Sequence, residues 1–144
     1  MPTPNISELK KALIAEGFEV YRTVGEQVVL AERVRDNLIM DSNVAAGVKD
    51  GLRVRFTLRA QANDFPGESE AQLFERARRL AEVGIERGYV ELDSNVVTIR
   101  DPGDGSRTLD TWYEVAFAKS VATLPELFDE LRFALALDKS ATRS

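Results

Sequence analysis

The sequence predicts an α+β fold in which a largely antiparallel sheet carries helices packed on one face. The segment Leu52–Gln61 alternates apolar and polar residues with the period of a strand, and later segments repeat apolar residues with the period of a helix. The predicted strands also follow one another through short turns, which favours antiparallel neighbours. The predicted order is one helix, three or four strands, one helix, two strands and one helix.

The first half of the chain holds the first helix and most of the predicted sheet. Asn5 and Glu8 have the spacing of a capping box, and Gly17 suits the left-handed position past the end of this helix. Strands are predicted at residues 18–24 and 27–34, with a possible further strand at 38–44. The alternation is clearest at 52–61, where we expect one buried face and one exposed face.

The second half adds two helices and two strands. Ser69 and Gln72 form a second capping box, ahead of a helix that is predicted to run to about residue 87 and to end at Gly88. Extended segments are predicted at 89–100, with an interruption near 93–95, and at 109–120, with a turn at 101–105 between them. Thr123 and Glu126 cap the last helix. We predict one domain, 1–144, with a frayed polar tail at 138–144.

Composition limits the available chemistry, because the chain has no cysteine and no histidine. Catalysis by Ser-His or Cys-His pairs and metal sites built from His or Cys are therefore excluded, and we expect no enzyme, cofactor or metal site. The net charge of -5 and the pI near 4.9 argue against nucleic-acid binding. No window approaches 18 consecutive apolar residues, and residues 1–7 lack the features of a secretory signal. We expect a cytoplasmic protein without membrane contact.

The predicted order of elements, in an acidic chain of this length, resembles the type III secretion chaperone-like fold. It is also similar to the YbjN-like family of small bacterial proteins that share this fold, and the resemblance covers roughly residues 6–137. The resemblance implies a homodimer whose sheet and first helix receive an extended segment of a client protein. It further implies a dimer surface on the middle helix and neighbouring strands, at residues 69–87 by position. The strand at 38–44 departs from the secretion-chaperone pattern.

Three arginines share one face of the predicted strand at 52–61, namely Arg53, Arg55 and Arg59. This spacing would present guanidinium groups to carboxylates or phosphates of a partner, which arginine binds through two parallel hydrogen bonds. The alternative is an exposed outer face whose charges pair with acids on adjacent strands. Both interpretations stay open at this point.

Small residues recur on the second predicted helix, at Ala77, Ala81 and Gly84. An interior glycine destabilises a helix by about 1 kcal/mol relative to alanine, so Gly84 indicates close approach of another backbone. That backbone belongs either to the chain's own sheet or to a second copy related by a twofold axis.

Three large apolar residues are candidates for a partner surface. At 100° per residue, Phe133 and Leu137 fall on the side of the last helix away from its apolar face. Interface cores favour aromatic residues, although an isolated exposed apolar side chain is the ordinary alternative. Trp112 alternates with Tyr113 on a predicted strand and so points away from it, either into an interface or into a second layer.

The acids Asp101, Asp104 and Asp110 lie in and near a predicted turn. A calcium loop requires closer ligand spacing and a closing glutamate, so a tight hairpin connection explains these residues better.

We therefore predict a non-catalytic protein-binding domain that binds a partner or client protein as a homodimer. One alternative is an inhibitor or immunity-type protein that neutralises a single basic partner through its acidic surface. A second alternative is a small-ligand domain or enzyme that uses carboxylate and arginine groups in a pocket.

Overall fold

The computed structural model describes residues 3–143, with side chains described for residues 3–141. Four helices, six strands and a short 3₁₀ turn (Ala62–Asp64) are present in this part of the chain. Their bounds, in chain order, are α1 (Ile6–Ala15), β1 (Val20–Val24), β2 (Gln27–Arg35), β3 (Leu38–Gly47), β4 (Leu52–Gln61), α2 (Glu70–Leu80), α3 (Glu82–Glu86), β5 (Val90–Asp101), β6 (Asp104–Val121) and α4 (Leu124–Arg143).

The strands form one six-stranded antiparallel sheet in the order β1-β2-β3-β4-β6-β5. The predicted α+β class and the predicted order of elements are therefore confirmed. The strand predicted at 38–44 is also confirmed, and it continues to Gly47. Because β1 and β5 stand at the two ends of this order, they are the edge strands of the sheet.

The described residues divide into two compact units, and the prediction of one domain, 1–144, stays a prediction. The first unit contains the described residues up to Phe56 and those from Ala118 onward, and the second runs from Thr57 to Phe117. The strands β4 and β6 each contribute residues to both units.

The core of the first unit joins α1, α4 and the inner faces of β2, β3 and β4. In α4, the predicted apolar positions Leu127, Leu131 and Ala134 are buried, and two polar residues, Glu130 and Asp138, are buried with them. The other large side chains that are fully buried in this unit are Leu9, Leu13, Val28, Leu30, Val44, Val54 and Phe56. Burying a side chain of this size stabilises a fold by roughly 1.5–3 kcal/mol.

The core of the second unit is built from β4, β6 and α2. Its buried side chains include Leu58, Leu73, Tyr89, Val115 and Phe117. Tyr113 of β6 packs edge-on against Phe74 of α2, with 5.2 Å between the ring centroids. Aromatic pairs in this T-shaped arrangement contribute about 0.5–1.5 kcal/mol beyond their burial.

Local capping explains where the helices begin. Asn5 and Glu8 form a reciprocal capping box at α1, and Ser69 and Gln72 form another at α2, as the sequence predicts. At α4, the backbone N–H of Glu126 donates to Thr123 Oγ1 over 3.3 Å.

Three local predictions are corrected. The second helix is divided at Ala81 into α2 and α3, although it ends near the predicted Gly88, which has a φ of 107°. Strand β5 runs from Val90 to Asp101 without the interruption predicted at 93–95. Helix α4 continues to Arg143, so the residues from Asp138 to Arg143 are helical instead of a frayed tail, and Asp138 itself is buried.

Candidate protein-binding surfaces

A cluster of polar and aromatic side chains lies on strands β4 and β6 of the second unit. The guanidinium of Arg59 lies over the ring of Trp112, 4.4 Å from the ring centroid. The same guanidinium pairs with the carboxylate of Glu114, with 2.8 Å between Arg59 Nη2 and Glu114 Oε2. All three residues are partly buried. This arrangement fixes the orientation of the indole ring, because one face is covered by a group that is itself held by an ion pair.

The edge of the Trp112 ring is held by Asp110. The indole N–H of Trp112 donates to Asp110 Oδ2 over 3.1 Å, while Asp110 Oδ1 accepts the backbone N–H groups of Asn63 and Thr111. The Asn63 side chain donates in turn to the carbonyl of Leu109 over 2.7 Å. The 3₁₀ turn and strand β6 are thereby tied together around the indole, and we name Asn63, Asp110, Trp112, Arg59 and Glu114 the tryptophan cluster.

The second candidate surface is on the edge strand β5. Val90, Leu92 and Val96 are exposed by 61%, 40% and 43%, and their even spacing places them on one face of the strand. Leu109 of the neighbouring strand β6 is 41% exposed. We name Val90, Leu92, Val96 and Leu109 the β5 stripe. An edge strand with exposed apolar side chains is a template for pairing with another chain, since its outer backbone groups are not used within the sheet.

Exposed acidic residues lie close to the β5 stripe in the sequence. Glu82 and Glu86 of α3 and Asp93 of β5 are all exposed. Glu91 accepts from Arg78 of α2 over 2.8 Å, and this ion pair ties the start of β5 to the helix. A partner with basic residues beside its apolar ones would complement this surface.

A third set of exposed apolar residues lies in the first unit, at the outer end of the β2–β3 hairpin. Val34, Leu38, Ile39 and Met40 are exposed by between 37% and 52%. These residues were not predicted to form a surface. Three consecutive apolar residues at 38–40 were the available signal, because a strand segment shows no clean alternation of apolar and polar residues when neither of its faces is covered.

Helix α2 carries an open polar groove of about 640 Å³, lined by Glu68, Ala71, Gln72, Glu75, Arg76 and Arg79. Arg76 pairs with Glu68 over 2.7 Å and lies over the Phe65 ring, 3.8 Å from its centroid. This ion pair lowers the pKa of Glu68 below its ordinary value, chiefly through the hydrogen bond from Arg76. The charged groups of the groove therefore engage one another.

A scan against protein-family models, a search of curated proteins and a search of solved structures each found no match.

Two observations on the described residues concern membrane-spanning helices and metal sites. No helix within residues 3–143 is both long enough and apolar enough to cross a membrane. In the same part of the chain, no three His, Cys, Asp or Glu side chains are grouped so that they could hold a metal ion.

The turn acids take part in local hydrogen bonds. Asp101 Oδ1 accepts the backbone N–H of Gly103 over 2.8 Å, and Asp104 Oδ1 accepts both the N–H and the hydroxyl of Ser106. The bonds from Ser106 lower the pKa of Asp104. These contacts support the interpretation of 101–105 as a tight hairpin connection.

The three predicted arginines share the partly exposed face of β4, as their spacing predicts. Arg59 belongs to the tryptophan cluster, where its pairing with Glu114 of the adjacent strand supports the interpretation of charges paired across strands. Arg53 and Arg55 lie in the first unit.

Phe133 and Leu137 are both partly buried positions of α4. Neither side chain is therefore fully exposed. Both lie beside the buried stripe of the helix and not on a fully exposed side of it. Their assignment as partner-binding residues stays a prediction.

The small residues of the second helix are buried within a single chain. Ala77 and Ala81 are 0% exposed, and Gly84 is also buried. A second copy cannot contact these residues unless the helix moves, so the structure favours close approach to the chain's own backbone over the twofold interface. The homodimer predicted from the resemblance, and its surface at Ala77, Ala81 and Gly84, both stay predictions.

Proposed function

We propose that the protein is a non-catalytic protein-binding domain that holds a partner or client through the second unit and works as a homodimer. The observation that carries this proposal is the β5 stripe, in which exposed apolar side chains line an edge strand. Apolar surface of this kind gains free energy when a partner removes it from water, at roughly 25 cal/mol per Å².

The partner that fits this surface best is an extended segment that adds a strand to β5. Main-chain hydrogen bonds to the outer edge supply affinity in such complexes, and side chains at alternating positions supply specificity. The net charge of -5 favours a segment that combines apolar and basic residues.

The tryptophan cluster supports the same function on the neighbouring strand. Tryptophan and arginine are the residue types most enriched at the energetic centres of interfaces. The bonds from Trp112 to Asp110 and from Arg59 to Glu114 hold both side chains in place before a partner arrives. Preorganisation of this kind reduces the entropy lost on binding.

A display library of random peptides, selected on the immobilised full chain, tests the proposal. We expect the enriched peptides to have apolar residues at alternate positions and to carry Lys or Arg. Their affinity should fall by at least about tenfold for the Leu92→Arg variant, because the substitution removes apolar surface and its charge repels basic residues. The matched control is Val24→Arg, since Val24 is 50% exposed on β1, the other edge strand.

The outcome of the peptide selection also separates the alternative functions. Equal binding to both variants, or no enrichment over a chain-free surface, would contradict the proposal. A single tight complex whose affinity falls steeply with added salt, and which Leu92→Arg leaves intact, would instead favour the inhibitor of one basic partner, because steering by surface charge is screened by salt.

A further inference from the structure

The sheet of the first unit has one face that packs on helices and one face that reaches solvent. On the helix side, α4 packs against β3 and α1 against β2. Val28 of β2, Ala46 of β3 and Val54 of β4 lie directly opposite one another on that side, and all three are 0% exposed. Because side chains alternate between the faces, the residues on either side of these three belong to the other face, which we name the outer face.

The register of strands β1 to β4 aligns two rows of residues across the outer face. One row contains, in order across the sheet, Arg22, Val29, Ala45 and Arg55. The next row contains Val24, Gln27, Gly47 and Arg53. Seven of these eight positions are exposed or partly exposed, and the eighth, Ala45, is 7% exposed. The two rows therefore form one surface patch, about 14 Å across the strands and about 7 Å along them.

The middle of this patch is a trough, which we name the β3 trough. Its floor is β3, where Gly47 has no side chain and Ala45 has only a methyl group. Its walls are formed by larger side chains, with Gln27 and Val29 on β2 and the two arginines on β4. Strands β2 and β4 stand about 9–10 Å apart, twice the spacing of neighbouring strands, so an extended chain fits between their side chains.

The charge of the patch is opposite to that of the whole chain. Three of its eight positions are arginine and none of the eight is acidic, whereas the chain has a net charge of -5. On β3, the residues opposite Arg53 and Arg55 are Gly47 and Ala45, so neither arginine lies opposite an acid on that strand. Arg22 adds a third guanidinium from the edge strand β1. A partner that complements this patch therefore carries negative charge.

Acidic residues limit the length of the patch. Glu26 and Asp50 lie in the turns at one end, next to the row of Arg53, and Asp41 lies on β3 four positions before Ala45. A long polyanion such as a nucleic acid would extend over these acids and over a chain of negative net charge, which repels it. A short acidic segment stays within the patch, and charges farther away than the Debye length of about 8 Å are largely screened from it.

We propose that the β3 trough binds a short, extended, acidic segment of a partner protein, with carboxylates at alternate positions. The Cα atoms of Arg53 and Arg55, two positions apart on one strand, are separated by about 7 Å, and alternate side chains of an extended segment have the same spacing. Each guanidinium then takes one carboxylate through two parallel hydrogen bonds. The inference goes beyond the proposed function, because this surface lies in the first unit and selects a charge opposite to that expected at the β5 stripe.

Fluorescence anisotropy with two labelled peptides tests the charge requirement. The probe is a short peptide in which Glu alternates with Thr, and the control peptide has Gln in place of every Glu. We expect the full chain to bind the Glu peptide at least about tenfold more tightly than the Gln peptide. This preference should decrease as salt is added, because interactions between surface charges are screened.

Matched charge reversals locate the binding site. Arg53→Glu should weaken binding of the Glu peptide by at least about tenfold, since it removes one guanidinium and sets a carboxylate against the peptide. Arg35→Glu makes the same change of net charge at an exposed position of β2, six positions beyond Val29. That position is about 20 Å away along the strand, farther than a Debye length, so the loss should be less than about threefold.

Substitutions of Gly47 test the shape of the trough. A Cβ atom at this position would lie 3.6 Å from the carbonyl oxygen of Glu26 and 3.7 Å from Gln27 Cγ, which are ordinary van der Waals separations. Gly47→Ala should therefore fold normally and bind the Glu peptide within about threefold of the unmodified chain. Gly47→Leu should weaken binding by at least about tenfold, because its side chain occupies the floor on which the segment lies. Circular dichroism of each variant checks that the fold is retained.

Four results would overturn the inference. They are equal affinities for the Glu and Gln peptides, equal losses with Arg53→Glu and Arg35→Glu, unchanged affinity in a folded Gly47→Leu variant, and tighter binding of a single-stranded oligothymidine than of a Glu peptide of the same length. The last result would assign the patch to nucleic acid. None of these results touches peptide binding by the β5 stripe, which Leu92→Arg tests separately.

Discussion

The guanidinium of Arg59 covers one face of the Trp112 ring, with 4.4 Å between the guanidinium carbon and the ring centroid. Trp112 is the single tryptophan of the chain, so its fluorescence reports on this contact alone. The indole N–H is bonded to Asp110, so both the edge and one face of the ring have a polar partner. The relationship therefore allows the candidate surface to be followed spectroscopically.

Replacing Arg59 with Ala should expose the indole to water. We expect the emission of Trp112 to shift to longer wavelength and its quenching by acrylamide to increase, since the covering cation is lost, with a decrease of about 1 kcal/mol in the free energy of unfolding. Arg53→Ala removes the same side chain from the same face of β4, six positions earlier, and should leave the emission unchanged. Identical spectra for the two variants would contradict the stacked geometry.

The elements with a strong local signal were predictable from the sequence. The bounds of β4 agree with the prediction because every second residue from Leu52 to Ala60 is buried. The capping boxes of α1 and α2 likewise identified the helix starts, because the side chains of Asn5 and Ser69 satisfy backbone N–H groups of their own first turns. In both cases the residues that determine the element lie within a short stretch of the chain, so they can be read from the local sequence.

Features that depend on distant segments were not predictable. Strand β5 continues through Asp93 and Asn95, residues with low strand propensity, because pairing within the sheet outweighs local preference. Glu130 is only 7% exposed on α4, where its carboxylate pairs with Lys119 of β6 over 3.1 Å, and an apolar pattern cannot indicate a buried charge whose partner lies on another element. The candidate surface on β5 was likewise not predictable from local sequence. It depends on which strands lie at the edges of the sheet, and the order of the strands is set by contacts between distant segments.

The pKa of Glu68 provides a test of the α2 groove. The hydrogen bond from Arg76 holds this pKa below the ordinary 4.5, so the ion pair stabilises the fold above that pH and its contribution is lost as the pH falls through the lowered pKa. With Arg76→Gln, the midpoint of the Glu68 titration should move up towards 4.5, as followed by NMR of the side-chain carboxyl.

Arg79→Gln is the graded control for the Glu68 titration. Arg79 also lowers the pKa of Glu68, but it is the smallest of the contributing causes and acts only through its charge. Its removal should therefore raise the midpoint by less than Arg76→Gln does. Equal shifts for the two variants would indicate that charge alone, rather than the hydrogen bond from Arg76, sets the pKa of Glu68.

The burial of Ala77 distinguishes a small-residue dimer interface from packing within one chain. Ala77 is 0% exposed, so Ala77→Leu inserts extra carbon atoms into a filled core and should lower the free energy of unfolding by about 1–3 kcal/mol. The loss should be the same in chemical denaturation at low and high protein concentration, because the strain arises inside a single chain. Ala71→Leu makes the same substitution at an exposed position of α2 and should change stability by less than about 0.5 kcal/mol.

If the helix instead met a second copy at Ala77, the leucine would shift the mass of the assembly and its effect would depend on concentration. That result would place the dimer surface on α2.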